Sequence, residues 1–92
     1  MREIIFDTET TGLDAEVDRI IELGGIELVN RFPTGRTFHM YINPEGRAIH
    51  VEAKAVHGIT EAQLADKPTF AEVADQFLEF IDGAKLVAHN AS

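Results

Sequence analysis

The stretch Ile4-Ile5-Phe6-Asp7-Thr8-Glu9-Thr10-Thr11-Gly12 decides how the rest of the chain is read. The uninterrupted apolar run Ile4-Ile5-Phe6 suits a strand in the middle of a sheet, buried on both faces. While the chain stays extended, Asp7 and Glu9 leave the same face of that strand, so two carboxylates are aimed at one point. Thr10, Thr11 and Gly12 then end the strand, and Gly12 permits a sharp turn or a close backbone approach to a ligand. Adjacent carboxylates repel unless a positive charge neutralises them, and hard oxygen donors suit magnesium or manganese. Asp7 and Glu9 are therefore candidate ligands of a divalent metal at a strand end. A lone D-x-E pair is common where strands meet turns, whereas the full D-T-E-T-T-G string after a buried strand is far more specific.

The 92 residues, 45% of them hydrophobic, make one small domain at most and do not have the composition of a disordered segment. Without cysteine there is neither a disulfide framework nor a thiolate metal site. Met1 closely precedes the first strand and no apolar run approaches membrane-spanning length, so the expectation is a cytoplasmic protein with no membrane partner. The net charge of −8 argues against broad non-specific duplex binding, which depends on Lys and Arg neutralising phosphates. It leaves room for an enzyme that grips a few nucleotides at a chain end, because bound metal supplies local positive charge.

From the opening motif, 13–18 reads as an acidic loop and Arg19 to Asn30 as a long strand that Gly24-Gly25 bends or lets approach another backbone closely. Phe32-Pro33-Thr34-Gly35 reads as a turn, followed by a strand from Arg36 to Asn43 with Phe38, Met40 and Ile42 on one face. Three strands joined by short connections predict an antiparallel meander. Pro44 to Ala55 has no clear period and reads as loop or irregular helix. Thr60 with Gln63 has capping-box spacing for a short helix ending before Pro68. Phe70, Val73, Ala74, Phe77, Leu78 and Ile81 predict a helix over 70–81, with Thr69 and Glu72 as a second capping box and Gly83 as its stop. Leu86-Val87-Ala88 then suits another central strand, parallel to the first because a helix crosses over between them. The order βββαβ is α/β with a mixed sheet.

Three stretches in this order resemble the DEDD family of 3′→5′ exonucleases: Asp7-Thr8-Glu9-Thr10-Thr11-Gly12 its first motif, Val56-His57-Gly58-Ile59-Thr60 a family loop, and His89-Asn90-Ala91-Ser92 the start of its second motif, H-N-A-x-F-D. Residues 38–42 and 64–70 are similar to the proofreading members that serve bacterial DNA polymerase III. The resemblance implies a ribonuclease-H-like fold and hydrolysis of the last phosphodiester with two divalent cations, Mg2+ or Mn2+, releasing nucleoside 5′-monophosphates. By position it implies that Asp7 and Glu9 are catalytic metal ligands that also meet the substrate. It further implies that Thr10, Glu52 and His57 contact the 3′-terminal nucleotide, with His89 and Asn90 beside the site. Implied partners are a single-stranded or frayed 3′ DNA end, the polymerase III catalytic subunit and a small accessory subunit.

The family's remaining acidic ligands and its general-base His belong to motifs past Ser92, the first of them about two residues on if the H-N-A-x-F-D spacing holds. The expectation is that residues 1–92 are the N-terminal portion of a single exonuclease domain, cut within the second motif and inactive alone. Two other readings remain open: an RNA-trimming member of the family, and a non-catalytic module that docks on a polymerase subunit.

Overall fold

The computed structural model describes residues 1–14 and 16–89. Asn90, Ala91 and Ser92, which complete the second-motif stretch, lie outside the described residues. The opening run forms β1 (Arg2–Thr10), followed by β2 (Ile20–Val29) and β3 (Phe32–Tyr41) in an antiparallel meander. Helices α1 (Val51–His57), α2 (Glu61–Leu64) and α3 (Phe70–Ile81) then carry the chain over to β4 (Lys85–Ala88), parallel to β1 as a crossover requires. The sheet order is β3-β2-β1-β4, so β1 is central. The strand over 86–88, expected to be central, instead lies at an edge of the described sheet.

The turn expected at Phe32–Gly35 is part of β3, which begins four residues earlier than the alternation starting at Arg36 implies. The chain reverses at Asn30 (φ 51°) and Arg31 (φ 74°), both left-handed as a two-residue type I′ hairpin demands. Pro33 is tolerated because β3 is an edge strand, where a missing N–H breaks no ladder. Thr34, Gly35 and Arg36 bulge opposite Glu27, with Gly35 supplying a φ of 90°. The bulge wraps the Glu27 carboxylate, which accepts from the Thr34 hydroxyl at 2.8 Å, from Arg36 and from Arg2. Arg2 also donates to the carbonyls of Phe80 and Asp82, tying the end of α3 to the start of β1.

Helix α3 occupies the predicted residues. Glu72 accepts from the Thr69 amide at 2.9 Å, and Gly83 at φ 73° ends the helix. Its buried face differs from the expected stripe: Val73 and Phe80 are enclosed, whereas Phe70 and Leu78 remain 40% and 58% exposed. The reason lies on β2. Gly25 leaves an opening in the sheet surface into which the Phe80 ring settles, and a Cβ there would meet Phe80 at 3.1 Å and Ile4 at 3.2 Å. Gly25→Val is therefore expected to cost about 1–3 kcal/mol through overpacking, read as a lower urea midpoint at unchanged m.

Strand register separates two faces. Ile4, Phe6 and Thr8 lie opposite Glu27, Gly25 and Leu23 on the face covered by α3, while Asp7 and Glu9 lie opposite Gly24 and Glu22 on the other. One core cluster joins Leu23, Ile42 and Val73, and a second joins Ile21, Ile49, Ile59 and Leu64 beneath α1 and α2. Among the described residues no helix is long and apolar enough to cross a membrane.

Candidate active site

A cleft of about 900 Å³ opens where β1 and β4 end. Carboxyl ends of strands are where open α/β sheets form ligand crevices, because the loops diverge there. The cleft brings together Asp7, Glu9 and Thr10 of β1 with Glu52 and His57 of α1 and with His89 beyond β4. Thus every described residue singled out in the sequence lies in one concavity, although the helix that carries Glu52 was not expected as a regular element. A register shift between Glu9 and Thr10 marks the point where β1 peels from β2, a place where bulges commonly re-aim side chains.

Among the described residues, neither the Asp7 nor the Glu9 carboxylate accepts a side-chain hydrogen bond or pairs with a cation. Two hard, unpaired oxygen donors on one strand face fit a divalent cation, and no counter-charge competes for them. No group of three or more potential metal ligands clusters among the described residues.

His57 has a definite tautomer. The Ile59 amide donates to its Nδ1 at 3.0 Å, so Nδ1 carries no proton and Nε2–H donates to the Thr10 carbonyl at 3.1 Å. Both ring nitrogens are committed to backbone, and the ring clips the end of α1 to the end of β1. The side left for a ligand is the ring's face. Gly58 at φ 70° turns the chain so that Ile59 can make this bond.

Sequence reading missed the group that shapes the cleft wall. Thr11, fully buried, donates its hydroxyl to Asp18 Oδ1 at 2.8 Å and accepts from the Arg19 amide at 3.0 Å. Asp18 Oδ2 accepts from the Asp14 amide at 2.9 Å, while Arg47 Nε donates to Oδ1 at 3.1 Å. The His50 ring lies against Gly12, where a Cβ would approach both His50 and Asp18 to 2.4 Å. Gly12 is thus required by packing, not by a left-handed turn. No local signal reveals this knot, since Asp18 and Arg47 are 29 residues apart.

Enclosure alone would raise the Asp18 carboxyl, but the Asp14 amide, the Thr11 hydroxyl and Arg47 outweigh it and hold the pKa at about 2. A carboxyl depressed on folding stabilises the native state above its unfolded pKa, 3.8, and loses that contribution as pH falls toward 2. Glu27, Glu61 and Glu72 are lowered too, by hydrogen bonds foremost from Arg2, the Glu61 amide and the Thr69 amide respectively. Acid unfolding is expected to begin below about pH 4. Asp18→Asn is expected to be less stable at pH 7 but to lose less on acidification, as urea midpoints at several pH values will show.

The chain belongs to the exonuclease family of the ribonuclease T type, whose sequence profile matches residues 4–92. Among curated relatives it is 58% identical to DNA polymerase III subunit epsilon of Rickettsia conorii, over 99% of this chain and 40% of that protein. It is 52% identical to the same subunit of Escherichia coli, over 99% of this chain and 39% of that one. The chain thus spans about two fifths of the length of the relatives it matches. Among solved structures, exonuclease X in complex with 5′ overhanging duplex DNA superposes with a TM-score of 0.75 at 32% identity, over 94% of this chain and 47% of that one. E. coli exonuclease I with a dT13 oligonucleotide superposes at 0.81 with 20% identity, over 97% of this chain and 20% of that one, a likeness of fold.

Proposed function

We propose that this chain supplies the metal-binding strand and the 3′-end pocket of a cytoplasmic 3′→5′ DNA exonuclease that proofreads for DNA polymerase III. The observation that carries the reading is the pair of carboxylates, Asp7 and Glu9, on one face of β1 in the lining of the cleft, neither of them partnered among the described residues. These two residues would hold divalent cations, Mg2+ or Mn2+, which when bound supply an activated water and neutralise charge on the phosphate and its leaving 3′-oxygen. The chain's own contribution is positioning. His57 holds the Thr10 carbonyl and so the turn past β1, and α1 sets Glu52 in the cleft lining, where it would meet the terminal nucleotide while the cleft would exclude bulk water from one side of the scissile bond.

Two acidic ligands and a general base are proposed to come from the portion that the curated relatives possess beyond the matched segment. Partners in this reading are a single-stranded or frayed 3′ DNA end, the polymerase III catalytic subunit and a small accessory subunit, in keeping with the epsilon relatives. The discriminating experiment compares turnover of matched single-stranded DNA and RNA by the intact protein in Mg2+ and Mn2+. DNA is expected to be preferred, and equal or faster cleavage of RNA would contradict the proofreading assignment.

A further inference from the structure

The cleft is a paradox for a polyanionic substrate. Its lining includes five carboxylates, Asp7, Glu9, Asp14, Asp18 and Glu52, and among the described lining residues a single permanent cation, Arg47. Cations bound at Asp7 and Glu9 answer for the scissile phosphate but not for its neighbours along the strand. We propose that Arg47 grips the phosphate on the 5′ side of the scissile one and so fixes the path by which the strand enters; this rests on the exonuclease reading above.

Three features of Arg47 fit that task. Its Nε donates to Asp18 Oδ1 at 3.1 Å, which ties the guanidinium to Asp18 while its two terminal amino groups make no hydrogen bond or ion pair among the described residues. Those groups are the pair that binds two phosphate oxygens in parallel, the recognition for which Arg is suited and Lys is not. The side chain is 37% exposed, so the fork reaches solvent within the cleft, whereas Asp18 behind it is 3% exposed. Moreover, the Thr11 hydroxyl and the Asp14 amide restrain Asp18 independently, so the guanidinium is held by a rigid anchor. A preorganised side chain loses little freedom on binding, which raises affinity for a flexible strand.

The test uses the intact protein and two substrates: a 3′-ended single-stranded oligonucleotide, and the p-nitrophenyl ester of thymidine 5′-monophosphate, which has only the scissile phosphate. Arg47→Ala is expected to raise KM for the oligonucleotide about tenfold with kcat little changed. The oligonucleotide-to-ester ratio of kcat/KM should fall by a similar factor, and Arg47→Lys should recover part of it. In parallel, fluorescence anisotropy of a labelled strand across a salt series, without turnover, should give a log Kd versus log salt slope shallower by about 0.7 for Arg47→Ala. A proportional loss on both substrates with a lowered thermal midpoint would overturn the proposal and leave Arg47 as a strut for Asp18, as would an unchanged salt slope. Failure of the unaltered protein to hydrolyse either substrate would instead refute the exonuclease reading, while the anisotropy slope still judges Arg47.

Discussion

Replacing Asp7 by Asn is expected to lower exonuclease turnover of the intact protein by about a thousandfold or more, with no loss of thermal stability. The combination is diagnostic because the two effects have separate causes. Asp7 is paired with no cation among the described residues, so its charge contributes nothing favourable to the fold. It sits two residues from Glu9 on the same strand face, roughly 6.6–6.8 Å along the backbone, where like charges repel by a fraction of a kcal/mol in water-like surroundings. Removing one of them leaves stability unchanged or slightly raised. Divalent cations, by contrast, should raise the thermal midpoint of the unaltered protein by mass action and fail to raise that of Asp7→Asn. A structural carboxylate behaves in the opposite way: its loss lowers the midpoint and activity falls with it. Thermal melts with and without Mn2+, beside turnover of a labelled 3′ end, distinguish these patterns.

Ile4→Ala is expected to destabilise the fold by about 2–5 kcal/mol, a large part of the roughly 5–15 kcal/mol that holds a typical domain together. Ile4 has no exposed surface, lies in the central strand between Glu27 of β2 and Leu86 of β4, and would crowd a Cβ at Gly25 beside the Phe80 ring. Truncation removes its buried methyl groups and leaves a void that Phe80, fixed by Phe38 at 5.5 Å between ring centres, cannot fill by shifting freely. Ile26→Ala is the control, since Ile26 is 42% exposed on the opposite face. Urea unfolding of the pair should show a far larger midpoint shift for Ile4→Ala; equal shifts would mean that the core is not where the register places it.

Much of the site could be read from the chain because its central elements are local. An apolar run, two carboxylates of matching parity and a turn suffice to specify β1 and its end, although of the run only Ile4 is fully buried, and the Asp7/Glu9 parity is the one the strand register displays. The extent of helix α3 is equally legible, since its caps lie within the same residues, but its period alone does not give the face that is buried. What was not legible depends on distant partners. Pro33 and Gly35 look like a turn until β3 is known to be an edge strand with a bulge around Glu27. Phe80 looks like a solvent-facing helix residue until Gly25 is seen beneath it. Arg47 and Asp18 look like surface charges because 29 residues separate them. The resemblance makes His57 a substrate contact, yet its bonds to Thr10 and Ile59 give its ring nitrogens a positioning task that no motif announces.

The most direct measurement is paramagnetic broadening of backbone amide signals in the intact protein during titration with substoichiometric Mn2+, with Asp7→Asn as the control. Even a weakly held ion leaves its imprint on nearby nuclei, independent of turnover. Signals of Asp7, Thr8, Glu9 and Thr10 are expected to broaden first, and to be spared in Asp7→Asn. Broadening centred on other acidic residues, such as Asp14 or Glu45, or a pattern indifferent to Asp7→Asn, would contradict the assignment of β1 as the metal-binding strand.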